Sequence, residues 1–414
     1  MTNAISPADL LNLAEGQGQR EFAIAAVDFV SSRHRLRAPS AEDWGVGDER
    51  LTLFHESSDA EERAEAQAAQ QWQQARWEAG FGWITGPAEF GGRGLPQEYD
   101  VLYRRIESAY DIPDMSPLRI GIGTVGPAIL GNGSPEQICH YVVPLYQGKT
   151  IACQLFSEPG AGSDLAGVQT RGVAVDGGWQ LTGQKVWTSN AQFADLGLAL
   201  VRTDPAAPKH RGLTMFVVDM SAPGVDVRPL RQMTGGASFT EVFLDAVKVP
   251  ATAVVGAVGG GWSVATRALA GERKAVGDRT HEITDRAIAL LGELARRTGR
   301  DGDPLVRQQW SQVYSRLRIA RFQQQRIQGI PESELTGAER AIDKLLVSSN
   351  LRLLGELAAT ILGQELVVDS GQWGTFGWTK WIMGALGYRI AGGTEEILKT
   401  MLAERGLQLP RESR

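Results

Sequence analysis

Residues 171–189 read RGVAVDGGWQLTGQKVWTS, two alternating runs of β-branched and aromatic residues hinged on Asp176-Gly177-Gly178. Glycine between two alternating runs is a strong hairpin signal, because tight hairpin turns need positive φ. Similar short runs follow at LGLALVRTD, LTMFVVDM, VDVRPL and TEVFLDAVKVP. Strands at this spacing predict a closed or packed sheet, a barrel or sandwich, over 150–252. On either side the texture is helical. Ser58 to Arg76 (SDAEERAEAQAAQQWQQAR) is rich in Ala, Glu and Gln, with Ser58 or Asp59 placed to cap it. After Gly259-Gly260-Gly261, the segments Trp262 to Asp278, Glu282 to Arg297, Leu305 to Gln328 and Glu339 to Ile361 have the length and period of bundle helices. The expected fold class is α+β in three parts: an N-terminal helical domain (1–149), a middle β domain (150–252) and a C-terminal helical bundle (253–414).

Composition narrows the function classes. The chain has 414 residues, 43% hydrophobic and 22% charged, which sits among ordinary globular proteins. A net charge of −6 offers no general attraction for nucleic acid. No run of ~18 uninterrupted apolar residues is present, so no membrane span is expected. The first residues, MTNAISPADLLNLAEGQGQREF, lack the basic and apolar segments of an export signal, which makes the cytoplasm the expected location. Two cysteines, without CxxC, and five histidines, without HxxxH, argue against a disulfide framework or structural zinc. The 49 glycines, about 12% against a usual ~7%, point to many turns or close backbone approaches.

Chemistry is suggested at three places. The loop Phe156-Ser157-Glu158-Pro159-Gly160-Ala161-Gly162-Ser163-Asp164 combines small residues with two hydroxyls, so backbone can approach a ligand closely; a plain surface turn would look similar. Gln184-Lys185-Val186-Trp187-Thr188-Ser189-Asn190 places an aromatic and hydroxyls at a strand end, where Trp187 taken alone reads more often as core. Beyond the triple glycine, Trp262, Ala265, Leu269 and Val276 share a helix face, and Glu272 falls within that apolar arc. A carboxylate there is either functional or bonded to a partner such as Arg273.

Together these segments resemble the acyl-CoA dehydrogenase flavoprotein family, whose signature runs Thr/Ser-Glu-Pro-x-x-Gly-Ser-Asp and then Gly-x-Lys/Gln-x-Trp-x-Thr/Ser-Asn. Later matches are Val247-Lys248-Val249-Pro250, Gly392-Gly393-Thr394-Glu395-Glu396-Ile397 and Ala403-Glu404-Arg405. The resemblance covers essentially the whole chain. It implies an acyl-CoA dehydrogenase-like fold with a C-terminal four-helix bundle, and FAD as cofactor. Gln154, Phe156 and Ser157 would then line one side of the isoalloxazine ring, and Trp187 and Ser189 another. Ser163 would lie near the flavin or the polar arm of the thioester carrier. Arg297, Thr394 and Glu396 fall where the family meets the rest of FAD; Gly-Gly-Thr at a helix start reads equally as an N-cap.

Many members hold the base as a Glu just before the terminal Gly-Thr, where this chain has Gly392. A branch keeps it on the helix after the β domain, followed by Arg, and Glu272-Arg273 matches that place. The implied reaction is α,β-dehydrogenation of an acyl thioester, with the α-proton going to Glu272 and the β-hydride to flavin N5, and Arg273 supporting substrate geometry. Two alternatives within the fold are a flavin oxidase or monooxygenase, and a non-catalytic partner subunit. The expected partners are acyl-CoA or an acyl-carrier thioester and an acceptor such as an electron-transferring flavoprotein. The expected assembly is a homo-oligomer, dimer or tetramer, with a heteromer as the alternative.

Overall fold

The computed structural model describes residues 6–37, 53–54, 58–330, 335, 337–370 and 375–411, without the side chains of 59, 270–282, 328 and 375. The chain divides into two compact units: Met1–Ser40 with Ser57–Leu230 and Phe239–Ala268, and Ala41–Glu56 with Arg231–Ser238 and Leu269–Arg414.

The first unit holds α1 (Pro7–Leu11), α2 (Gln17–Ser31), α3 (Asp59–Glu78), α4 (Gln97–Glu107), α5 (Gly126–Leu130), α6 (Pro135–Gln137) and α7 (Val143–Tyr146). α3 starts where its sequence predicts. The Ser58 hydroxyl accepts the Glu61 N–H while the Glu61 carboxylate accepts the Ser58 N–H, a reciprocal capping box. Aromatic packing then ties the helices together. Phe29 of α2 stacks on Trp72 of α3 at 5.2 Å, and Phe81 stacks on Tyr103 of α4 at 4.9 Å. Such pairs contribute about 0.5–1.5 kcal/mol each beyond the area they bury.

The β segment forms one eight-stranded mixed sheet: β1 (Ala152–Leu155), β2 (Arg171–Val175), β3 (Gly178–Ser189), β4 (Leu196–Arg202), β5 (Leu213–Asp219), β6 (Val225–Leu230), β7 (Phe239–Pro250) and β8 (Val254–Val255). The order is β6-β7-β3-β2-β4-β5-β8, and β1 runs parallel to β4. Alternate residues from both ends of this order meet in one core: Cys153 and Leu155 of β1, Leu181 of β3, Phe216 and Val218 of β5, Val242 and Leu244 of β7. Trp179 of β3 lies edge-on to Phe216 of β5 at 5.5 Å, although two strands separate them in the ladder. The sheet therefore curls around its own interior, as the barrel or sandwich expectation requires.

α8 (Gly261–Arg297) is a single helix, whereas its sequence suggested two segments meeting near 279–281. Neither proline nor a helix stop lies there, and Gly277, costing about 1 kcal/mol against Ala, does not end a helix. α9 (Pro304–Gln328), α10 (Gly337–Leu362), α11 (Thr375–Tyr388) and α12 (Glu395–Met401) complete the chain. In the second unit, Leu291 and Leu294 of α8, Leu317 of α9, Leu351 and Leu354 of α10, and Trp378 and Trp381 of α11 share one core. An apolar window in the helical stretch 337–367 is long enough by composition to cross a bilayer, yet over half of it is buried inside the protein, which fits the core helix of a bundle.

The β2–β3 hairpin shows two distinct uses of glycine. Gly177 takes φ +79° with open space around it, so the turn needs its backbone freedom. At Gly178 a Cβ would lie 2.1 Å from the Val249 carbonyl oxygen, so the demand there is steric. Gly177→Asn is expected to shift stability by under about 0.5 kcal/mol, since Asn tolerates left-handed backbone. Gly178→Ala should cost about 1–3 kcal/mol through overpacking. Urea midpoints at unchanged slope measure both, and equal losses would contradict the distinction.

Candidate active site

The two segments singled out in the sequence meet through a buried ion pair. β3 places Leu181, Gly183 and Lys185 at alternate positions, and the fully buried Lys185 ammonium lies 2.8 Å from Glu158 Oε1. The ammonium also donates to the carbonyls of Phe156 (3.1 Å) and Leu200 (2.7 Å), so its three protons have three acceptors. Glu158 in turn accepts the backbone N–H of Gln169 (2.6 Å) and Thr170 (2.9 Å). Burial opposes charge on both partners. It draws Lys185 down to about 8 against the attraction of Glu158. Burial raises the Glu158 carboxyl too, but the Lys185 charge and the bonds it accepts outweigh this and hold it below its ordinary value.

The same contact sets the loop. Glu158 and Ala161 exchange backbone hydrogen bonds of 3.1 and 3.0 Å around Pro159-Gly160, closing a tight turn. The Val186 N–H donates to the Ser157 carbonyl at 2.9 Å, which brings Ser157 alongside Trp187. Between Lys185 and Thr188 the ladder with β7 slips by one residue, a β-bulge on β3. Trp187 occupies that bulge with φ +61°, an unusual backbone for a bulky residue. Its indole is 59% exposed, with one edge against Phe239 at 5.9 Å. Strained, exposed aromatics of this kind cluster at ligand sites.

The other candidates fall as follows. Gln154 is half-buried on β1, opposite in register to the core residues Cys153 and Leu155, and Phe156 is buried just beyond. Ser163 is exposed in the loop beside Asp164, whose carboxylate pairs with Lys209. Ser189 ends β3 opposite Phe239. In the second unit, Arg297 pairs with Glu293 at 2.8 Å, one turn back on α8, and Glu396 is exposed. The Thr394 hydroxyl caps α12 by accepting the Ile397 N–H at 3.2 Å. The turn before it uses φ +68° at Gly392 and +103° at Gly393. Glu272 and Arg273 lie within α8, and their side chains are outside the described residues.

Comparison with known proteins gives a consistent result. The model of the acyl-CoA dehydrogenase middle domain matches residues 153–247, and that of the acyl-CoA dehydrogenase C-terminal domain matches 259–407. Acyl-CoA dehydrogenase IpdE1 of Mycobacterium tuberculosis is 35% identical over 344 residues, 83% of this chain and 88% of that protein. The chain belongs to the acyl-CoA dehydrogenase family. Acyl-CoA dehydrogenase FadE34 of the same organism is 40% identical over 78% of this chain, which covers only 44% of that longer protein. Among solved structures, the Tcur3481-Tcur3483 steroid ACAD superposes with a TM-score of 0.73 at 26% identity, covering 97% of this chain and all of that one.

Members of the acyl-CoA dehydrogenase family are FAD-dependent oxidoreductases, and this chain's residues suit that cofactor. A flavin ring needs an apolar wall and a few fixed hydrogen-bonding groups. Trp187 offers the exposed ring. The Ser157 N–H and hydroxyl have no partner among the described residues, and the buried Thr188 hydroxyl also lacks one. Glu158 and Lys185 both stand in the quoted motifs, yet no local pattern there marks them as a pair. A lysine at an inward strand position was the available signal, since it demands a buried anion. Lys344 of α10 is also buried, and its ammonium donates to the Gly393 carbonyl at 3.0 Å.

Removing one partner of a buried pair leaves an unpaired charge, so Lys185→Met alone should cost about 3–5 kcal/mol, while Lys185→Met with Glu158→Leu should cost much less. A double-mutant cycle in urea measures this coupling, and additive losses would contradict it. Because Glu158 is held below its unfolded value of 4.5, its stabilisation is present above that pH and is lost as pH falls through the lower folded value. Acid unfolding should therefore begin at higher pH when both charges are kept than in the doubly neutral variant.

Proposed function

We propose that this chain is an FAD-dependent dehydrogenase that introduces an α,β double bond into an acyl-CoA. The observation that carries the reading is the arrangement of free Ser157 donors beside the strained, exposed Trp187, locked by Lys185 and Glu158. Gln154, Phe156, Ser157, Ser163, Trp187 and Ser189 are proposed to hold FAD, with Arg297, Thr394 and Glu396 toward its ribose and phosphate end. Bound FAD supplies the acceptor for the β-hydride. Glu272 takes the α-proton, a role in which a desolvated carboxylate gains basicity. Arg273, next in sequence, orients the substrate. The three parts 1–149, 150–252 and 253–414 are the proposed domains.

The substrate proposed is a ring-bearing acyl-CoA. Gly392 replaces the carboxylate side chain that many family members place before the terminal Gly-Thr, which leaves more room for a bulky acyl group. Relatives named for ring-bearing substrates support this: the steroid ACAD, and cyclohexane-1-carbonyl-CoA dehydrogenase of Geobacter metallireducens, 29% identical over 57% of this chain. The proposed assembly is an oligomer, and the two-component name of the steroid ACAD favours pairing with a second chain. Electrons would leave to an electron-transferring flavoprotein.

Glu272→Gln should yield yellow, FAD-loaded protein whose rate of anaerobic flavin bleaching by a ring-bearing acyl-CoA falls about 10³-fold. Bleaching at the wild-type rate would remove Glu272 from the mechanism. Rapid peroxide formation by the wild-type protein in air would replace dehydrogenation by the oxidase reading.

A further inference from the structure

β1 ends at Leu155, and its pairing with β4 ends with Leu155 opposite Ala199. The next peptide, Phe156–Ser157, is therefore no longer oriented by a strand ladder. The Lys185 ammonium takes over: it donates to the Phe156 carbonyl at 3.1 Å while anchored to the Leu200 carbonyl at 2.7 Å and Glu158 at 2.8 Å. A trans peptide is planar, with its C=O and N–H pointing in opposite directions. With the Phe156 oxygen drawn toward Lys185, the Ser157 N–H points away from it, without a protein partner among the described residues. The Ser157 carbonyl is held at the same time by the Val186 N–H at 2.9 Å. Both carbonyls flanking the Ser157 amide are thus tied to β3, one by a side chain and one by backbone.

We propose that Lys185 is a positioning residue for the cofactor: by holding the Phe156 carbonyl it sets the direction in which the Ser157 amide is offered to the flavin. This rests on the FAD reading above and adds to it the group that aims the donor. A role confined to core stability would be served as well or better by an apolar side chain of similar volume, since a buried ion pair is weak evidence for stability. The placement of this pair, one bond from a free donor and one residue from the bulge that carries Trp187, is what a positioning device requires.

The test uses the full chain loaded with FAD, with FAD affinity by fluorescence quenching, the visible flavin spectrum and thermal unfolding as readouts. Lys185→Met combined with Glu158→Gln removes both charges together and leaves the Phe156 carbonyl without its donor. The expected result is a folded protein with displaced flavin bands and an FAD Kd raised about tenfold. Val218→Ala, which loosens the same sheet core without touching the bonds of Lys185 or Glu158, should lower the unfolding temperature and change neither. A folded double variant with wild-type spectrum and Kd would overturn the proposal, as would an equal change of spectrum and Kd in Val218→Ala. Should the double variant not fold, Glu158→Gln alone is expected to move both readouts in the same direction by less, and no movement would overturn it. Wild-type protein that takes up no FAD would refute the dehydrogenase reading, a failure distinguishable from the others by that control.

Discussion

A lysine ammonium sealed from solvent in the middle of a strand constrains everything around it. Withdrawing it and the Glu158 carboxylate from water costs several kcal/mol per ion, and the interior repays this only when the remaining protons and lone pairs also find partners. Here they do: three acceptors surround Lys185, and two backbone amides complete Glu158. Meeting those demands fixes several otherwise independent pieces. The end of β1, the tight turn at Pro159-Gly160, the entry to β2 at Gln169 and Thr170, and the centre of β4 must all converge on one point of β3.

That convergence explains how a strained residue can persist beside it. Holding Trp187 at φ +61° costs of order 1–3 kcal/mol, and such strain survives only where neighbours over-determine the backbone. On one side Val186 is bonded to Ser157; on the other, the buried Thr188 carbonyl accepts the Thr240 hydroxyl at 3.0 Å. The bulge then turns the indole outward while the strand continues. Rigidity in the pair is thereby converted into a fixed aromatic wall with free donors next to it, which is the preorganisation a flavin site calls for.

Much of this was legible from residues alone, because the signals were local. The hairpin follows from Asp176-Gly177-Gly178 between alternating runs, and the start of α3 follows from Ser58 and Glu61 at capping-box spacing. The motifs flanking Ser157 and Trp187 pointed to one site. What escaped were long-range matters. That Glu158 and Lys185, 27 residues apart, would pair inside the sheet depends on strand register, which no local pattern states. The continuity of α8 past residue 280 departs from the two segments expected there, because Gly277 costs only about 1 kcal/mol against Ala and no proline interrupts the helix. Thr394 proved to cap its own helix, one of the two readings that Gly-Gly-Thr allowed.

Glutamate and lysine in neighbouring motifs are thus better regarded as one unit whose product is the orientation of the Ser157 amide. The most direct measurement is a crystal structure of the FAD-loaded protein. The account predicts the isoalloxazine ring beside Trp187, the Ser157 N–H directed at one of its polar atoms, and Lys185 still bonded to Glu158 and the Phe156 carbonyl. A flavin bound elsewhere, or one bound there with the Phe156 carbonyl turned away from Lys185, would contradict it.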